Sequence, residues 1–89
     1  MRAGDICRRA ADLVGGERAR QHGQALIAHC RIAALWSAYL DHPITAHDVA
    51  ILMILLKVAR AKNGTINFDN YVDVAGYAGV AAELASHAR

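Results

Sequence analysis

The chain has 89 residues, enough for one domain and too few for two. Its formal charge of +2 is too small to mark a polyanion binder, and the early arginines (Arg2, Arg8, Arg9, Arg18, Arg20) alternate with Asp5, Asp12 and Glu17, so nucleic-acid binding is not indicated. Apolar residues supply 55% of the chain and aromatics only 6%; this Ala-rich composition favours closely packed helices, and an apolar surplus beyond what so small a core can hide predicts a homo-oligomer, most simply a dimer.

The first helix is predicted from about Asp5 to Val14, where Ile6, Ala10, Leu13 and Val14 recur at helical spacing until Gly15-Gly16 stops the pattern. The polar stretch Glu17 to Gly23 reads as a loop or as one or two exposed turns. A second helix takes up about Ala25 to Leu40, with Ile27, Ile32, Leu35, Trp36, Tyr39 and Leu40 as its apolar side, and Asp41-His42-Pro43 ends it.

The third helix has the clearest start: Thr45 as N-cap with Asp48 as the acid of a capping box. From Val49 to Val58 it is apolar almost all round, which predicts the most buried helix, with Leu52, Ile54, Leu55 and Leu56 in the core or in a dimer interface. Lys57, Arg60 and Lys62 suit the negative pole of its dipole, and Asn63-Gly64 closes it. Asn67 caps a fourth helix to about Ala85, in which Gly76 and Gly79 are read as a close helix crossing. The expected fold is all-α: a single domain over residues 1–89, about four helices in a compact bundle, the third and fourth antiparallel because their connection is short.

No leader is expected, because Arg8 and Arg9 interrupt the first apolar stretch. The run from Val49 to Leu56 is far shorter than the about 20 residues that span a bilayer, so no membrane partner and a cytoplasmic location are expected. Cys7 and Cys30 fit no zinc or redox spacing and are read as buried, inert thiols. His42 and His47 flank Pro43 and His22 and His29 stand seven apart, so none forms the i, i+4 pair of a helical metal site. Ser37 has no visible base to make it a nucleophile.

One constellation carries chemistry. Asp69, Asp73 and Tyr77 follow at i, i+4, i+8 on one face of the fourth helix, and the antiparallel pairing brings Lys57 and Arg60 toward its acidic start. Two carboxylates one turn apart suit Mg2+, and the neighbouring cations suit phosphate oxygens. Equally, the acids complement the helix dipole and pair with a nearby cation such as Arg60.

The stretches Leu35-Trp36-Ser37-Ala38-Tyr39-Leu40, Ile44-Thr45, Leu56-Lys57-Val58-Ala59-Arg60 and Asp69 to Ala78, together with Gly16 to Gly23, resemble a family of small phage and prophage proteins of unknown function. That family is in turn distantly similar to the MazG-like all-α nucleotide pyrophosphatases, whose facing acidic helices hold Mg2+ while a nucleoside triphosphate is cut to its monophosphate. The resemblance implies a phage-type accessory protein binding a nucleotide or phosphate-bearing small ligand with Mg2+. Asp69 and Asp73 would hold the metal, Lys57 and Arg60 would engage phosphate with help from Arg18 and Arg20, and Tyr77 would complete the ligand side. The MazG-like Glu-x-x-Glu pair is missing, since Glu17 and Glu83 are the only glutamates, so binding without pyrophosphohydrolase catalysis is expected. The alternative expectation is a non-catalytic phage protein that binds a host macromolecule, such as an inhibitor of a host defence system of the anti-CRISPR type.

Overall fold

The computed structural model describes residues 1–14 and 19–87, the side chains of 19–22 and 87 excepted. Among the described residues the chain forms four α-helices and no strand: α1 (Ala3–Val14), α2 (Ala19–Leu40), α3 (Ala46–Lys62) and α4 (Phe68–His87). The α2 helix begins six residues earlier than the apolar pattern suggests, taking in Ala19, Arg20 and Gln21. These are good helix formers that carry no apolar periodicity.

Local chemistry sets the helix ends. At the start of α1, Asp5 accepts the Arg2 backbone N–H at 3.0 Å and pairs with Arg8 at 2.6 Å. The α2 helix ends with Asp41 in the left-handed region (φ 51°), and the His42 N–H reaches back to the Ser37 carbonyl at 3.2 Å, the six-to-one bond of a Schellman stop. The Ser37 hydroxyl accepts the Ile44 N–H at 2.8 Å and donates to the Ile44 carbonyl at 3.1 Å, so this serine fastens the approach to α3.

Thr45 and Asp48 form the full capping box, each side chain accepting the other's backbone N–H, at 3.0 and 2.9 Å. The Thr45 backbone N–H first, and then its hydroxyl, by hydrogen bonding to the Asp48 carboxyl, hold it below its ordinary range. Their contribution is complete above that range and is lost as pH falls through the lowered value. At the other end of the hairpin Gly64 takes φ 69° and the Asn67 side chain accepts the Asp69 N–H at 3.0 Å, starting α4.

The helices surround one another in chain order. The α4 helix lies against α3 and α1, and α2 against α3 and α1. The residues that meet inside are small: Ala10, Ala33, Val49, Ala50, Val72, Val80 and Ala81, with Val49 and Val72 the largest side chains fully buried. The expectation of an inward α3 therefore needs correction within a single chain. Only Val49 and Ala50 of α3 are buried, whereas Ile51, Leu52, Leu55, Leu56 and Val58 stand 38–57% exposed. A helix apolar on every side cannot hide all of them behind two neighbours. The α4 helix is the better buried, through Asn70, Val72, Gly76, Val80 and Ala81. Cys7 and Cys30 are both exposed, correcting the buried reading; they lie beside, not on, the inward stripes marked by Ala10 and by His29 and Ala33.

The α4 glycines differ from each other. Gly76 is buried, and a methyl added there would meet Val14 Cγ1 at 3.9 Å, an ordinary contact; at Gly79 it would meet nothing within 4 Å. No close crossing requires Gly79, which leaves only its helix-propensity cost. Gly79→Ala is expected to raise stability by about 0.5–1 kcal/mol, read as a shift in the denaturation midpoint; a loss would place another surface against this position.

Candidate functional site, a charged face beside an apolar cavity

The α3–α4 hairpin sets the register of the site. Lys57 lies five residues before the last residue of α3 and Asp73 five after the first of α4, so an antiparallel pair brings them level. Lys57 Nζ is 2.9 Å from Asp73 Oδ2, with the two side chains 15% and 34% exposed. One turn earlier on α4, Asp69 turns the other way, and its Oδ1 accepts from Arg9 Nη2 of α1 at 3.1 Å. The two carboxylates of the face are thus each matched by a cation, one from each helix that flanks α4.

The same register explains Arg60. The α4 residue level with it is Asn70, a buried amide, and not an acid. Arg60 lines a polar hollow at the hairpin turn with Asn63, Thr65, Asn67 and Asn70, and among the described residues it has no carboxylate partner. The acid-to-Arg60 pairing expected on simple charge grounds is replaced by Lys57 and Arg9. Arg18 lies outside the described residues, as does the side chain of Arg20, although the backbone of Arg20 belongs to α2.

Asp73 and Tyr77 also border a cavity of about 210 Å³ between three helices. Leu13 and Val14 of α1 close one side, Ala25 and His29 of α2 another, and Val72, Gly76 and Val80 of α4 the floor. His29 is only 6% exposed, its Nδ1 lies 2.7 Å from the Ala25 carbonyl, and its ring is tilted 57° against Tyr77 at 5.9 Å. This histidine escaped the sequence reading, which sought pairs of histidines. The available signal was the spacing Ala25, His29, Ala33, which sets a polar ring among small residues on one helical stripe.

The arrangement offers two kinds of chemistry. The charged face presents carboxylates and cations side by side, and the cavity presents apolar walls with one imidazole. Among the described residues no group of three or more His, Cys, Asp or Glu is gathered to hold a metal ion. Asp69 and Asp73, the two carboxylates expected to hold Mg2+, turn to different neighbouring helices, and each already pairs with a cation. No described helix is long and apolar enough to cross a membrane.

Burial predicts unequal strengths for the two ion pairs. A double-mutant cycle on Lys57→Met and Asp73→Asn is expected to give a coupling of about 1 kcal/mol, between exposed and buried pairs. The same cycle on Arg9 and Asp69, both half exposed or more, is expected to give about 0.2–0.5 kcal/mol, vanishing in high salt. Equal couplings would contradict this ranking.

The chain belongs to the family whose description is Domain of unknown function (DUF6378), matched over residues 5–85. It is 45% identical over 76 residues to the Gene 55 protein of Mycobacterium phage L5, covering 84% of this chain and 49% of that protein. It is 43% identical over 74 residues to the Gene 55 protein of Mycobacterium phage D29, covering 83% and 49%. The chain thus spans about half the length of the curated relatives it matches. No solved structure matches it.

Proposed function

From membership of this phage family and the geometry above, we propose that the protein is an accessory domain with a MazG-like helical core that binds a nucleotide or another phosphate-bearing small ligand with Mg2+. The observation that carries the reading is the junction at Asp73, which lines the cavity and holds Lys57 at 2.9 Å. An organic ring enters the cavity beside Tyr77, and the phosphates lie along the charged face. There Lys57 and Arg9 exchange a carboxylate oxygen for a phosphate oxygen, while Arg60 waits at the hairpin turn. Bound Mg2+ neutralises phosphate charge, with Asp69 and Asp73 as its protein oxygens. Nothing in this donor set resembles the acidic pair that would activate water, so the proposed role is binding, without hydrolysis.

The test is thermal denaturation with Mg2+ and a panel of nucleotides. A ligand at a hundredfold excess over its Kd is expected to add about 2.7 kcal/mol of stability, and Asp69→Asn combined with Asp73→Asn is expected to remove that gain. Both acids already hold cations, so the double variant alone should melt slightly lower. A parent indifferent to Mg2+ and to every nucleotide would sink the reading.

A second observation supports association. The chain exposes 6390 Å², whereas a compact monomer of 9.6 kDa exposes about 5100 Å². On the outer side of α3, Ile51, Leu55 and Val58 recur at i, i+4, i+7 with Leu52 beside them, a stripe of the kind that pairs helices. In the proposal a second copy covers this stripe. Light scattering at micromolar concentration is expected to give about 19 kDa, twice the chain's 9.6 kDa, and Leu55→Asp to halve it. A monomer would instead leave the stripe for a host macromolecule, the non-catalytic anti-defence reading.

A further inference from the structure

One residue that lines the cavity, His29, carries a buried polar atom without a partner among the described residues. The Ala25 carbonyl can only accept a hydrogen bond, so the 2.7 Å contact places a proton on His29 Nδ1. In the neutral ring Nε2 is then an acceptor, its lone pair directed away from α2's own backbone. Nε2 is buried, and among the described residues no protein group reaches it. A buried acceptor without a donor costs stability, and the His29 residue that carries it lines a cavity of about 210 Å³, room enough for a single ring.

The walls narrow the chemistry of the occupant. Leu13, Val14, Val72 and Val80 favour an apolar body, and the Tyr77 ring offers a flat aromatic neighbour. Among the described residues of the lining, the one carboxylate, Asp73, is already matched by Lys57, so a cationic ligand gains little over a neutral one there. What His29 Nε2 lacks, among the described residues, is a hydrogen-bond donor.

Resting on the reading of this cleft as a small-ligand site, we propose that the cavity is a subsite for a neutral planar ring bearing an N–H or O–H group, the class that includes nucleobases and phenols. His29 Nε2 accepts that hydrogen bond and selects such rings over isosteric ones without a donor.

Phenol and toluene, alike in shape and different in the donor, make the probe pair. The wild-type chain is expected to bind phenol at least tenfold more tightly than toluene, and the ¹⁵N resonance of His29 Nε2 to move with phenol alone. In His29→Phe the unpaired acceptor is gone, so the free variant is expected to melt higher than the parent and to lose the preference for phenol. His29→Gln, which keeps an acceptor oxygen at a similar reach, is expected to retain part of that preference, and it serves if the Phe variant does not fold. Equal binding of the two probes, an unmoved Nε2 resonance, or a preference that survives in His29→Phe would overturn the inference. Failure of phenol to bind while Mg2+ and a nucleotide do stabilise the chain would overturn the subsite alone. A phenol preference in a chain indifferent to every nucleotide would overturn the nucleotide reading alone.

Discussion

The four helices meet through alanine and valine. Ala33, Ala50 and Ala81 leave little side chain between neighbouring backbones, and Val49, Val72 and Val80 fill what remains. Close approach gives good dispersion contact for each buried atom, yet it buries little apolar area in total. The larger leucines and isoleucines of α3 find no room inside and are turned outward. The body that results is flat, 41 × 32 × 20 Å, only about two helices thick in its short dimension. The outward stripe of α3 and the cavity opposite it are both consequences of a small-residue interior.

The charged face follows from the hairpin. With the turn fixed by the Asn63-Gly64 stop and the Asn67 cap, the levels of α3 and α4 are set, and Lys57 can only meet Asp73. Asp69, one turn away, faces α1 and takes Arg9. Two like charges on one helix face would repel if left alone; here each is neutralised from a different side. For the phosphate-bearing ligand proposed above, the cations would already be in place, and binding would exchange one anion for another.

Much of this was legible in the sequence because it rests on local chemistry. The capping box of Thr45 and Asp48, the stop at Asp41-His42-Pro43, the left-handed Gly64 and the Asn67 cap are decided within a few residues of chain. That the basic end of α3 comes to lie beside the acidic start of α4 followed from a short connection and an antiparallel turn. What could not be read depends on distant surfaces. The α3 helix carries no polar face, so periodicity could not say which side would be left outside. Cys7 follows Ile6, and Cys30 stands two residues from both Ala28 and Ile32, yet each lies beside, not on, the buried stripe of its helix. His29 gained significance only when Tyr77, 48 positions along the chain, came to lie against its ring. Nothing in the order of residues told Arg60 from Lys57 as the partner of an acid.

The cyclic order of the helices bears on how the chain reaches this state. Because α1, α2, α3 and α4 each pack against the helix that follows, most of the bundle forms between segments adjacent in the chain. Only the closure of α4 onto α1 joins remote parts. Topologies of such low contact order fold in microseconds to milliseconds, since little loop entropy is surrendered before contacts repay it. The α3–α4 hairpin, bounded by its own stops and caps, is the natural place for that process to begin. The contact of α4 with α1, sealed at the surface by Arg9 and Asp69, is the natural last step. The wall that encloses the cavity would then be the latest part of the molecule to form and the first to open.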